Sequence, residues 1–71
     1  MYKAMYENEY GRFTCQSDSF VDQDGEYITN FSKKQDAIFV ASEWASKFNE
    51  KVRVYKWIKS ARCWEDLGLD F

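Results

Sequence analysis

The sequence predicts an α+β fold, an antiparallel β-sheet of about 4–5 strands with one α-helix packed on one face. Three observations point there. Residues 33–49 repeat apolar side chains at helical spacing. The runs on either side alternate and are rich in Val, Ile, Tyr, Phe and Trp, which favour strands. Asp24-Gly25 stands between two such runs, and Gly accepts the positive φ that a tight hairpin requires. With 71 residues the chain makes a single domain, residues 1–71. Three Trp, five Tyr and six Phe supply the ring area that so short a chain needs for a core.

Taken in order, residues 2–7 (YKAMYE) read as a strand, residues 8–11 as a turn and residues 12–16 (RFTCQ) as a second strand. The next expected strands are about 20–22 and 26–31, joined at Asp24-Gly25. Ser32 then has the character of a helix N-cap, and Gln35 three residues on completes a capping box. At 100° per residue Ala37, Ala41, Trp44 and Phe48 form a narrow stripe flanked by Ile38, Val40 and Ala45. Asn49 suits the left-handed residue that commonly follows a helix. Residues 51–59 (KVRVYKWIK) form a strand with Val52, Val54, Lys56 and Ile58 on one side. Arg53, Tyr55 and Trp57 lie on the other. Residues 60–71 read either as a strand around 61–65 with a tail or as a short helix, and Cys63-Trp64 favours the strand.

Much chemistry is excluded. The chain has no His, which removes the commonest neutral-pH base and any Ser-His or Cys-His pair. There is no Cys-x-x-Cys and no Gly-rich phosphate loop. Phe20 and Phe31 occupy positions where a calcium loop needs oxygen ligands. No catalytic residue, metal ligand or cofactor site is therefore assigned, and the chain is expected not to be an enzyme. No stretch is long and apolar enough for a membrane span, and the first residues do not resemble a signal peptide, so a cytoplasmic location is expected. Cys15 and Cys63 are then expected to stay reduced.

Charge is unevenly placed. Residues 1–30 hold two bases and six acids, and residues 31–71 hold eight bases and six acids. Asp18 to Glu26 contains four acids and no base, whereas Lys51 to Arg62 contains five bases and no acid. Three candidate binding features follow, beside the apolar tail from Asp66 to Phe71, whose last ring either tucks into the core or meets a partner. The first is Arg53, Tyr55 and Trp57, which could stack bases and meet phosphates or form a protein hot spot. The plain alternative is that Tyr55 and Trp57 cover the far side of the sheet, against Tyr2, Tyr6 or the tail. The second is the hairpin with Asp22, Asp24 and Glu26, either solvated or complementary to a basic groove. The third is Phe39, which falls on the polar side of the helix, exposed or covered by Leu67, Leu69 or Phe71. The acidic balance of the chain favours a protein partner over nucleic acid.

The size, the sheet with one helix from Phe31-Ser32 through Ala45-Phe48, and the aromatic richness without catalytic residues resemble the small accessory proteins encoded by bacteriophages. That resemblance implies a stoichiometric inhibitor of a host or defence protein, such as RNA polymerase, a nuclease or a CRISPR effector complex, acting in the host cytoplasm. It carries no site residues with it. The resulting expectation is a non-enzymatic protein-binding module, monomeric or homodimeric. The alternatives are a single-stranded nucleic-acid binder using the basic strand face, and a structural homodimer that buries that face.

Overall fold

In the computed structural model, which describes residues 1–71, four strands and one helix follow in the order β1 (Tyr2–Asn8), β2 (Gly11–Thr14), α1 (Lys34–Phe48), β3 (Val52–Ile58) and β4 (Cys63–Asp70). The sheet order is β2-β1-β3-β4, and every neighbouring pair is antiparallel. The α+β class and the single helix match the sequence reading.

The helix lies on one face of the sheet. Alternation along β1 and β3 sends Ala4, Val52 and Val54 to that face, where they are wholly buried against Ala37, Val40 and Ala41. The two helical alanines bring the backbone close to the sheet, and Cys15 and Phe31 complete the core. Tyr6 also faces the helix. It stacks between Phe13 (5.4 Å) and Trp44 (5.6 Å), and Trp44 continues to Phe48 at 4.4 Å. Expected in the buried stripe, Phe48 instead ends this aromatic column 49% exposed. Asn49 closes the helix in the left-handed conformation (φ 54°), as its side chain suggested.

Three local expectations change. The expected strands at 20–22 and 26–31 shrink to single bridges, Val21 with Tyr27 and Phe31 with Tyr2. The Asp24-Gly25 turn does form, with Gly25 at φ +82° and its N–H donating to the Asp22 carbonyl at 3.1 Å. Its hairpin stays outside the sheet because Phe20, at its base, turns inward onto Phe31 at 4.9 Å. Ser32 does not cap the helix. Phe31 exchanges both backbone hydrogen bonds with Tyr2, each 2.7 Å, so the chain stays extended through Lys33, which stands at the N-cap without a side-chain bond. The capping box with Gln35 is therefore absent. Finally, residues 63–70 form one long strand. Its pairing is irregular between Arg53 and Tyr55, with Gly68 at φ +74°, while Leu67 and Leu69 keep facing the core.

Cys15 is buried and Cys63 exposed, and both are free thiols. Burial pushes the Cys15 thiol up to about 12. No helix is long and apolar enough to cross a membrane.

Candidate functional site

The candidate residues fall on opposite sides of the molecule. Arg53, Tyr55 and Trp57 lie on the sheet face away from the helix. Asp22, Asp24, Glu26 and Phe39 lie on the helix and hairpin side.

The open sheet face is closed by its own pairings. Arg53 projects from β3 beside the bulge, which brings Asp66 and Asp70 of β4 to one guanidinium. Nη1 donates to Asp66 Oδ2 at 2.6 Å, and Nε meets Asp70 Oδ1 at 2.7 Å. The Asp66 carboxyl is held below the usual carboxylate range, first by the Gly68 N–H and then by Arg53. Arg12 of β2 pairs with Glu7 at 3.5 Å and lies 5.7 Å from the Tyr55 ring centroid. Lys3 of β1 sits 4.1 Å over the Trp64 ring, and its burial there lowers its pKa. Tyr55 is consequently only 6% exposed. Trp57 is half-buried against Trp64, ring centroids 5.3 Å apart. The covering of the far side is thus real, and its partners are Arg12, Trp64 and, from the tail, Asp66. Tyr2 and Tyr6 pack toward the helix instead. What remains is a shallow depression of about 390 Å³ over Tyr55, with both signs of charge on its walls.

The helix and hairpin side is built differently. Asp22 holds the turn itself: its Oδ1 accepts the N–H of Asp24 at 2.9 Å and of Glu26 at 3.0 Å. Asp24 and Glu26 remain solvent-exposed and make no ion pair. Ser17, buried at the base of the loop, donates its hydroxyl to Glu43 Oε1 at 3.0 Å and accepts the Ser19 N–H at 3.2 Å. This ties the loop to the helix. Phe39 is 48% exposed, the first of the two outcomes considered for it, and it is flanked edge-on by Phe20 at 5.8 Å. Val21 and Tyr27, opposite each other on the hairpin, are 43% and 47% exposed. Neither was singled out from sequence; their positions flanking a two-sided turn were the available signal.

A smaller depression of about 160 Å³ lies between the hairpin base and the last turns of the helix. Tyr27, Trp44 and Phe48 contribute rings to it, and Asp18, Glu43 and Lys47 contribute charge. Nearby, the Trp44 indole N–H is buried without a hydrogen-bond partner, a desolvation cost of about 1–3 kcal/mol. Nowhere do three His, Cys, Asp or Glu side chains converge as a metal site.

Comparison with family models, with curated proteins and with solved structures gives no match. The class stated for this chain is therefore the one its geometry defines, an α+β domain with a self-paired sheet face and an apolar, acidic helix and hairpin face.

Proposed function

We propose that the protein is a non-enzymatic binding module that occupies a basic surface of a partner protein through its helix and hairpin side. One observation carries this reading. Five of the eight exposed large apolar side chains, Phe13, Val21, Tyr27, Phe39 and Phe48, lie on that side, where Tyr27 and Phe48 line one depression, Phe39 sits against Phe20, and the hairpin acids Asp24 and Glu26 make no ion pair. All three salt bridges of the chain lie on the opposite face. An apolar patch rimmed by uncompensated charge is the usual make-up of a protein contact surface. The charge speeds encounter with a basic partner and the rings supply contact area.

The same geometry weighs against a single-strand platform on the sheet. Stacking needs a ring face open to a base, and phosphate binding needs a free cation. Tyr55 is covered and Arg53 is engaged by two carboxylates, so the face keeps unpaired cations in Lys51 and Lys59 but no open ring at its centre for a base to stack on. Stoichiometric blocking of a host or defence complex, as in the phage accessory proteins that the chain resembles, is the mode of action we assign to this surface. A module without catalytic groups can act by occupancy alone.

The test is capture of partners from a nuclease-treated bacterial lysate by tagged wild type and by the double variant Asp24→Lys/Glu26→Lys. These side chains are exposed and outside the turn's own hydrogen bonds, so the variant keeps its fold. Wild type retains a partner after nuclease, and the variant loses it. Undiminished capture by the variant, or loss of every wild-type partner after nuclease, defeats the proposal.

A further inference from the structure

The helix and hairpin face has one concave feature, and its size decides what can enter. At about 160 Å³ it is well below the ~300–1,000 Å³ of pockets that hold small molecules and cofactors. It is close to the ~150 Å³ that accommodates one benzene-sized group. The depression therefore suits the end of a single side chain.

Its lining decides which side chain. Tyr27 and Phe48 bring exposed aromatic rings, whose negative faces attract cations, while Trp44 is packed between Tyr6 and Phe48 and forms the floor. Asp18 and Glu43 add two carboxylates that make no ion pair within the chain. Only Oε1 of Glu43 is engaged, by Ser17, which fixes the side chain and leaves Oε2 free of protein donors. Beyond the rim the run from Asp18 to Glu26 adds further negative charge with no base. One cation already sits at this place: Lys47 lies with Nζ 5.5 Å from the Phe48 ring centroid. It comes from the helix's own last turn and, exposed to water, holds its position only weakly.

We propose that this depression receives an arginine side chain of the protein partner, which displaces Lys47 from the Phe48 ring. This deepens the function proposed above and rests on it. Arginine fits better than lysine because a planar, weakly hydrated guanidinium can lie on a ring while donating to carboxylates at its edge. Arginine is also among the residues that dominate protein interfaces. In the complex the guanidinium stacks on Phe48 or Tyr27 and meets Glu43 Oε2 and Asp18, and the hairpin acids meet basic groups around it.

The test is a nuclear magnetic resonance titration of the ¹⁵N-labelled full chain with a capped Gly-Arg-Gly peptide. The control is a capped Gly-citrulline-Gly peptide, which has the same shape without the charge. The arginine peptide shifts the Trp44 indole N–H and the Tyr27 and Phe48 amides saturably. It leaves the Trp57 and Trp64 indoles in place, and the citrulline peptide does nothing. Lys47→Gln removes the resident cation and tightens binding about two- to fivefold. Glu43→Gln, which keeps the bond from Ser17, weakens it. Equal shifts with citrulline, shifts centred on Trp57 and Trp64, or unchanged binding in Lys47→Gln each overturn the inference. Partner capture separates it from the broader reading. If Asp24→Lys/Glu26→Lys abolishes capture while Glu43→Gln leaves it intact, the arginine pocket falls and the binding module stands. If the peptide binds as described but hairpin reversal leaves capture intact, the module falls and the cation site remains.

Discussion

Tyr55 is where a binding role and a structural role make opposite predictions. If its ring were a contact for a partner, Tyr55→Ala would cost binding and leave the fold intact. The structure buries it to 6% exposure under Arg12 and beside Met5, Arg53 and Trp64. An aromatic side chain removed from such a position costs about 3–5 kcal/mol. The area route agrees: burying ~150–250 Å² at about 25 cal/mol per Å² gives about 4–6 kcal/mol, an upper value because denatured chains are partly compact. A chain of 71 residues has about 4–11 kcal/mol in total at ~0.05–0.15 kcal/mol per residue. Tyr55→Ala should therefore remove about a quarter or more of the stability and lower Tm by at least about 12 °C. The assay is urea and thermal unfolding by circular dichroism, with Phe39→Ala as the comparison. Phe39, 48% exposed, should change stability by only about 0.5 kcal/mol. If Tyr55→Ala unfolds at the wild-type midpoint, the sheet face is not closed by its own residues and the reasoning fails.

Other outcomes follow from single contacts. Ellman's reagent should label Cys63 at once and Cys15 only as the protein opens, because the Cys15 thiol is wholly buried with its pKa pushed up to about 12; two fast thiols would contradict this packing. Asp66 has a folded pKa below its unfolded value, so its contribution is present above about pH 3.9 and is lost as pH falls through the lower folded value. Acid unfolding curves of Asp66→Asn should accordingly lack the part of the pH slope below pH 4 that wild type shows, and identical slopes would refute the pairing. Asn49→Gly should leave stability unchanged or raise it, whereas Asn49→Val should cost about 1–2 kcal/mol, because the position is left-handed at φ 54°; chemical denaturation of both variants reads the difference.

The parts of this fold that could be read from sequence are those set by neighbours along the chain. The alternation of Val52 and Val54, the alanine stripe of the helix, the Asn49 stop and the Asp24-Gly25 turn all depend on local geometry. What could not be read depends on distant partners. Ser32 has the chemistry of a cap, but Tyr2 holds Phe31 in an extended bridge and delays the helix. β4 was blurred because its pairing shifts by two residues around Gly68 at φ +74° and its outer face carries Asp66, Gly68 and Asp70, none of them a strand former, although Leu67 and Leu69 keep the alternation. The site followed the same division. The acids of the hairpin and the misplaced Phe39 were visible, since charge runs and helical faces are local. The covering of Tyr55 was legible as an alternative, but its partners Arg12 and Trp64 were not, since they come from other strands. Val21 and Tyr27 were passed over because an alternating run suggests burial in a sheet, and this hairpin never joins one.

The proposed contact surface is the helix and hairpin side, and not the sheet face. Site-specific photo-crosslinking tests it most directly. A photoreactive phenylalanine analogue is placed at position 39 in one sample and at position 57 in another, and both are irradiated in the same nuclease-treated lysate. A discrete protein adduct is expected from position 39 and none from position 57. An adduct from position 57 alone would contradict it and return the binding surface to the strand that carries Arg53, Tyr55 and Trp57.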